Sequence, residues 1–115
     1  MSVLDRAREH YRDVLDSPPH AISIPEWGDD GVFYVRPSIN MKAKMEIQRA
    51  FSDTSRMADA FALTVIHYLV NKDKEAIFTK ADIVELKAQV DPDTLIRVAG
   101  EIADLQPKQE DIEGN

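Results

Sequence analysis

A single β-rich segment interrupts a chain whose other segments carry helical patterns. It comprises residues 22–28 and 32–36, contains the only tryptophan, and is divided by Asp29-Asp30-Gly31. Two short β-rich runs on either side of such a turn predict a β-hairpin. An isolated hairpin is only marginally stable in water, so this one must pack on the helices or on another copy of itself.

The composition restricts the classes of partner and of chemistry. The 115 residues include 21 acidic and 14 basic side chains, a formal net charge of −7, and no cysteine. An acidic balance disfavours broad binding to phosphate backbones, so we predict no nucleic-acid partner. Without cysteine there are no disulfides, thiolate chemistry or cysteine-based metal sites. The longest apolar segment, residues 61–70, is too short to span a bilayer, so we expect no membrane partner and a cytoplasmic location.

Helical periodicity and capping residues predict the rest of the fold. The predicted elements are a helix over residues 3–16, strands over 20–24 and 32–35, and helices that begin near Ser38, Ser55, Thr79 and Asp91. Thr79 and Asp82 have the spacing of a capping box, and Asp91-Pro92 is a strong helix start. We therefore predict a mainly α fold with one β-hairpin (α+β), in which about four helices follow the hairpin.

The segment 55–71 carries apolar side chains on nearly every helical face. Such a helix is usually the buried centre of a domain, although an oligomer interface could also cover one side of it. We predict that residues 1–105 form one domain around this helix, with the hairpin at about 20–36. Residues 106–115 are polar and acidic and have too little apolar surface to fold alone, so we expect a disordered tail.

Catalytic and metal-binding patterns are weak throughout the sequence. His67 lies in the most apolar helix and is better explained as a packed or hydrogen-bonded histidine than as a ligand. Residues 71–82 superficially resemble a calcium loop, but Ala76 replaces the glycine of the sharp turn and Asp82 replaces the bidentate glutamate. We therefore predict no enzyme activity, no catalytic, cofactor-binding or metal-binding residues, and no cofactor.

Both faces of the predicted hairpin are apolar. Alternation along the second strand places Val32 and Tyr34 on one face, and Phe33 and Val35 on the other. One face can pack on the helices, and the other needs a cover, which suggests self-association or a protein partner. Trp27 is either a core anchor for the hairpin or a contact for a partner, because tryptophan is enriched at binding hot spots. The candidate partner-binding residues are Trp27, Phe33, Tyr34, Arg36 and Phe78.

Two motifs resemble the tail assembly chaperones of long-tailed bacteriophages and related prophages. The first is Ile24-Pro25-Glu26-Trp27-Gly28 followed by Phe33-Tyr34-Val35-Arg36, and the second is Ile77-Phe78-Thr79-Lys80-Ala81-Asp82. Their order and spacing, with an apolar helix between them, agree with that family over about residues 20–105. Pro37 stands where relatives often have leucine, and Glu75-Ala76 replaces a turn that contains glycine.

The resemblance implies a non-enzymatic assembly factor in the cytoplasm of the bacterial host. Such chaperones bind the tape measure protein, keep it soluble, recruit tail tube subunits, and are absent from the finished virion. The surplus apolar surface also suggests a homo-oligomer.

The alternative is a small DNA-associated phage regulator or packaging factor, which would need a basic face. The densest basic stretch is Lys42, Lys44 and Arg49, with Glu46 inside it. An enzyme would instead need a polar pocket.

Overall fold

The computed structural model describes residues 2–106, which form five α-helices and a three-stranded antiparallel sheet. The elements are α1 Val3–Asp16, β1 His20–Ser23, β2 Val32–Val35, α2 Met41–Phe51, α3 Met57–Tyr68, β3 Leu69–Val70, α4 Ile83–Ala88 and α5 Pro92–Asp104. Short 3₁₀ turns lie at Pro25–Trp27, Thr54–Arg56 and Lys80–Asp82. The predicted mainly helical α+β fold is confirmed. Apart from its first residue, the predicted tail 106–115 lies outside the described residues.

The predicted hairpin is present and gains a third strand. Strand β2 lies between β1 and β3, with Ile22 opposite Phe33 and Val35 opposite Leu69. The predicted central helix, residues 55–71, included Leu69–Val70, because a short apolar run fits a buried helix or a buried strand equally well. In the structure α3 stops at Tyr68, whose carbonyl accepts a hydrogen bond of 2.9 Å from the Arg36 backbone N–H.

The connection between β1 and β2 is a compact loop. Its ends are joined by a hydrogen bond of 2.7 Å from the backbone N–H of Ile24 to the carbonyl of Gly31. Ile24, which the sequence assigned to the strand, follows β1 and is fully buried. Gly31 has φ +66°, the left-handed conformation that glycine adopts without steric cost. The Asp30 carboxylate accepts a hydrogen bond of 3.1 Å from the backbone N–H of Val32 and so fixes the start of β2.

The helix starts follow local capping chemistry. The side chain of Asn40, and not that of Ser38 as predicted, caps α2 by accepting a hydrogen bond of 2.8 Å from the backbone N–H of Ala43. The predicted capping box of Thr79 and Asp82 is present, although its first turn is 3₁₀. The predicted start of α5 is also present, because Asp91 caps a helix whose first residue is proline.

Helix α3 is the centre of the core, as its apolar composition predicts. Seven of its side chains are buried: Ala60, Ala62, Leu63, Thr64, Val65, Ile66 and Tyr68. Helices α2, α4 and α5 pack around it, and the inner face of the sheet adds Val35 and Leu69. Helices α2, α4 and α5 and the inner face of the sheet therefore cover α3 within one chain. The sheet and the helix starts around this core determine where the candidate side chains lie.

Candidate partner-binding surfaces

Trp27 and Phe78 contact each other at one end of the sheet. Trp27 ends the 3₁₀ turn after β1, and Phe78 immediately precedes the capping box that starts the next helical segment. Their ring centroids are 5.7 Å apart with an interplanar angle of 87°, an edge-to-face pair. Both rings are half-buried against the core. The structure thus gives Trp27 a packing role and still leaves part of its ring accessible.

An ion pair ties the same turn to α5. The Arg97 guanidinium donates two hydrogen bonds to the Glu26 carboxylate, at 2.7 and 3.1 Å. This pairing holds the pKa of the Glu26 carboxyl below its usual range and raises the pKa of Arg97. A bidentate arginine–carboxylate pair fixes orientation as well as charge. The Trp27 turn is therefore attached to the helical body by an aromatic contact and by a polar one.

The other hairpin candidates lie on different faces. Phe33 packs against the core beside Gly28, whereas Tyr34 is half-buried on the opposite face of β2. Val32, which shares the face of Tyr34, is exposed. The strand alternation that the sequence predicts is therefore confirmed. The outer face of the hairpin presents apolar surface at Val32 and Tyr34.

Arg36 lies at the other end of β2, away from Trp27 and Phe78. It lines an open cleft of about 290 Å³. Other residues that line this cleft include Tyr11, Leu15, Ile39 and His67. The Nε atom of Arg36 is buried and has no hydrogen-bond partner within residues 2–106. An unpaired buried donor of this kind is costly.

A charged cluster borders this cleft. Glu46 on α2 accepts hydrogen bonds from Lys80 Nζ at 2.7 Å and from His67 Nε2 at 2.8 Å. These two contacts hold the pKa of the Glu46 carboxyl below its usual range, Lys80 having the larger effect. His67 is thus a hydrogen-bonded histidine at the edge of the core, as predicted. Glu46, His67 and Lys80 line a second pocket, of about 290 Å³, together with Lys42 and Arg49, so that basic side chains predominate there.

The residues considered as a calcium loop form a turn instead. The side-chain oxygen of Asn71 accepts hydrogen bonds from the backbone N–H groups of Asp73 and Glu75, at 2.8 and 3.0 Å. An oxygen used in this way belongs to an Asx turn. Over residues 2–106, no group of three histidine, cysteine, aspartate or glutamate side chains is arranged to hold a metal ion.

Two apolar clefts flank α5. The first, about 200 Å³, lies between α2 and α5 and is lined by Lys44, Ile47, Gln48, Phe51, Thr64, Tyr68, Ile102, Ala103 and Gln106. The second, about 190 Å³, lies between α3, α4 and α5 and is lined by Met57, Ala58, Phe61, Leu86, Lys87, Val90, Pro92, Leu95 and Ile96. Phe51 of the first cleft and Phe61 of the second meet edge to face, with ring centroids 5.6 Å apart.

Comparison with known proteins identifies a structure with the same fold. The chain superimposes on the solved structure of the bacteriophage HK97 tail assembly chaperone with a TM-score of 0.62. The match covers 84% of this chain and 97% of that chain, at 16% sequence identity. This chain has the fold of that tail assembly chaperone. The resemblance carried by the two sequence motifs is therefore confirmed at the level of the fold. No family model and no curated protein sequence matches the chain.

Within this tail assembly chaperone fold, the two motifs meet at the Trp27–Phe78 contact. Both residues are among the candidates predicted from the sequence, whereas the apolar clefts were not predicted, because each cleft is lined by residues from distant segments. One residue could have pointed to a cleft. Ile96 is a large apolar side chain on α5 that lies outside the buried stripe of that helix and is exposed. None of the helices within residues 2–106 has the length and apolar composition needed to cross a bilayer.

Proposed function

We propose that this protein is a phage tail assembly chaperone without enzymatic activity. In this role it binds the tape measure protein in the cytoplasm of the bacterial host, keeps it soluble, recruits tail tube subunits, and leaves before the virion is finished. The observation that carries the proposal is the fold it shares with the HK97 tail assembly chaperone, over 97% of that chain. The two motifs of the sequence support it independently.

The tape measure protein is proposed to bind in the clefts that flank α5. An amphipathic helix can lay its apolar face into a hydrophobic groove. The two clefts offer such a surface, in which Phe51 and Ile96 are exposed large apolar side chains. Large exposed apolar patches commonly mark protein-interaction sites.

The hairpin is proposed as a second contact surface. Tyr34 and Arg36 have accessible positions on or beside β2, and the accessible parts of Trp27, Phe33 and Phe78 lie at its turn end. Two separate surfaces would let one chaperone engage the tape measure protein and a tail tube subunit together. The clefts and the hairpin are therefore tested separately.

The first experiment is co-expression with the tape measure protein of the same phage. We expect the tape measure protein to become soluble and to co-purify with several copies of the chaperone. Ile96→Asp places a charge in a cleft at a side chain that is 47% exposed, so it should abolish co-purification without unfolding the chain. Val84→Asp is the matched control, because Val84 is 67% exposed on α4 and lines neither cleft.

Failure of the unaltered chain to bind or solubilise the tape measure protein would overturn the proposal. Equal loss of binding in the Ile96 and Val84 variants would show that the clefts are not the binding site for the tape measure protein. For the hairpin, Tyr34→Ala and Arg36→Ala are the corresponding variants, assayed against both the tape measure protein and the tail tube protein. Retained binding to both proteins in these two variants would show that the hairpin is not a contact surface for either of them.

The alternative function is that of a small DNA-associated regulator or packaging factor. It would contact DNA through the basic pocket beside Glu46. Lys42 and Arg49 line it, but the ammonium group of Lys80 is already paired with Glu46. We expect no binding to duplex DNA, measured by fluorescence anisotropy at low salt. Binding that weakens steeply with added salt would favour the alternative, because that dependence reports released counterions.

A further inference from the structure

Strand β1 is an edge strand whose outer side is open. It pairs with β2 on one side, and within residues 2–106 no further strand lies on its other side. Ala21 and Ser23 are exposed, whereas Ile22 is half-buried with its side chain against the core. A free edge of this kind presents backbone N–H and C=O groups with which an additional extended segment can pair.

The hydrogen-bond register determines which backbone groups of β1 face this free edge. The Ile24 N–H donates to the Gly31 carbonyl at 2.7 Å, so these two residues form a hydrogen-bonded pair at the end of the ladder. Hydrogen-bonded pairs alternate with non-hydrogen-bonded pairs along antiparallel strands. The backbone of Ile22 is therefore bonded to β2, whereas the N–H and C=O groups of Ala21 and Ser23 point away from β2.

The other side of β2 gives the same result. The Arg36 N–H donates to the Tyr68 carbonyl at 2.9 Å, so the backbone groups of Arg36 face β3, as do those of Tyr34 two residues earlier. Tyr34 lies opposite Ala21 in the sheet, and a backbone that bonds to β3 cannot also bond to β1. Within residues 2–106, no backbone or side-chain partner takes the outward groups of Ala21 and Ser23. They are available to a further strand.

A groove of about 330 Å³ lies beside this free edge. It is lined by Ala21, Ile22 and Ser23 of β1 and by Glu101, Asp104 and Leu105 at the end of α5. The three residues from the end of α5 are exposed, and Leu105 adds an apolar side chain to the groove. A segment paired with β1 would lie in this groove and would direct alternate side chains toward α5. The groove and the free backbone groups together fit one extended strand.

The α5 side of the groove is acidic. Within residues 2–106, no ion pair engages Glu101 or Asp104. Arg97 is the one basic residue of α5 and lies near enough to Glu101 for the carboxylate to raise its pKa, but its guanidinium gives two hydrogen bonds to Glu26. Complementary charge selects partners at interfaces, so the two carboxylates favour lysine or arginine side chains on the occupant.

We propose that this groove binds an extended basic segment of a protein partner, which adds a strand to β1 and directs lysine or arginine side chains toward Glu101 and Asp104. The inference goes beyond the proposed function, whose candidate surfaces are the clefts beside α5 and other parts of the hairpin. Charge disfavours two other occupants. A second copy would bring its own acidic groove, and residues 107–115 contain three acidic side chains and one lysine.

Binding of a model peptide to the full chain tests the groove. The probe is a fluorescein-labelled peptide in which lysine and valine alternate, measured by fluorescence anisotropy at about 0.15 M salt. Because two residues of β1 present free backbone groups, we expect a dissociation constant on the order of 10–200 µM. A peptide of the same composition, with its lysines and valines in separate blocks, should bind about 5-fold more weakly or worse, since it lacks the strand alternation. Equal affinity of the two peptides would overturn the proposal.

Amide hydrogen exchange followed by NMR locates the bound peptide. Saturating peptide should slow the exchange of the Ala21 and Ser23 amides about 5-fold or more and leave that of Ile22 unchanged, because the Ile22 N–H already bonds to β2. Binding without this protection would overturn the proposal. Protection that rises with the concentration of the chain alone would identify a second copy as the occupant. Protection that is lost on removal of residues 107–115 would identify that segment, and either result would also overturn the proposal.

Ser23→Pro tests the pairing of the main chain. It removes an N–H that faces the free edge, a position at which strands tolerate proline, so it should abolish peptide binding while circular dichroism shows an intact fold. Ser23→Ala is the matched control and should bind like the unaltered chain. Unchanged affinity in a folded Ser23→Pro variant would contradict strand addition.

A pair of double variants tests the charge. Glu101→Gln/Asp104→Asn should weaken binding of the alternating peptide about 5- to 20-fold. Glu9→Gln/Asp13→Asn removes the same formal charge from exposed positions on α1 that do not line the groove, and should have a smaller effect. Equal losses in the two double variants would assign binding to net charge and overturn the proposal.

Discussion

The ring of Trp27 meets the ring of Phe78 edge to face, at a centroid distance of 5.7 Å. The first residue belongs to the hairpin turn and the second to the start of the α4 segment, so the contact joins two distant parts of the chain. Each residue also lies in one of the two motifs that resemble tail assembly chaperones. A pair of this kind stabilises by aromatic contact beyond the apolar area that it buries.

Trp27→Ala is expected to lower the free energy of unfolding by about 2–3 kcal/mol, because it removes a large half-buried ring and leaves a gap beside Phe78. Urea unfolding followed by circular dichroism measures this loss. The aromatic contribution follows from a double-mutant cycle with Phe78→Ala, for which we expect a coupling of about 0.5–1.5 kcal/mol. A coupling near zero would contradict the interaction between the two rings.

Gly31 and Gly100 provide a matched pair of alanine substitutions with opposite expected signs. At Gly31, φ is +66° and an added Cβ would lie 3.0 Å from Pro25 Cα, so Gly31→Ala should cost about 1–3 kcal/mol. At Gly100, within α5, an added Cβ meets nothing within 4 Å. Gly100→Ala should therefore stabilise the chain by about 0.5–1 kcal/mol. Thermal unfolding of both variants measures the signs, and a neutral Gly31→Ala would argue against the loop geometry.

Asp91 is expected to contribute through the cap of α5. Its carboxylate accepts hydrogen bonds from the backbone N–H and the hydroxyl of Thr94, at 3.1 and 3.0 Å. Asp91→Ala should lower the free energy of unfolding by about 1 kcal/mol. Asp93→Ala removes the same charge two residues later, within the first turn of α5, without removing the cap, and should cost less. Equal losses from the two variants in urea unfolding would assign the effect to charge rather than to capping.

Much of the fold could be predicted because its signals are local. The Asp91-Pro92 start, the Thr79–Asp82 capping box and the alternation of Phe33 with Tyr34 each depend on residues a few positions apart. Such patterns determine which local hydrogen bonds a segment can form and which of its side chains share a face, whatever surrounds the segment. The all-round apolar composition of the central segment likewise predicts burial of α3, which the structure confirms.

The features that the sequence did not predict depend on contacts between distant segments. Leu69–Val70 is a strand only because its backbone pairs with that of β2. Both Ser38 and Asn40 are residue types that cap helices, and in the structure it is the Asn40 side chain that bonds to the backbone N–H of Ala43. The Trp27–Phe78 contact and the clefts beside α5 arise only when helices that are separated in the sequence come together. Patterns within one segment do not contain the distances between segments.

The Glu46 contacts predict a pH dependence of stability. Because Lys80 and His67 lower the pKa of the Glu46 carboxyl from its ordinary value of 4.5, the folded state favours the ionised form. The resulting stabilisation is fully present above about pH 4.5 and is lost as the pH falls through the lower pKa of the folded state. Since the side chains of Glu46 and Lys80 are partly exposed, we expect a contribution of no more than about 1 kcal/mol.

Glu46→Gln isolates this contribution, because the amide cannot ionise. Urea unfolding at pH 7 and at about pH 3 should show a larger destabilisation by the substitution at pH 7 than at pH 3. Glu85→Gln removes the same formal charge from an exposed position on α4 and so controls for net charge. If Glu46→Gln destabilises the chain equally at both pH values, the carboxylate does not stabilise the fold through its charge.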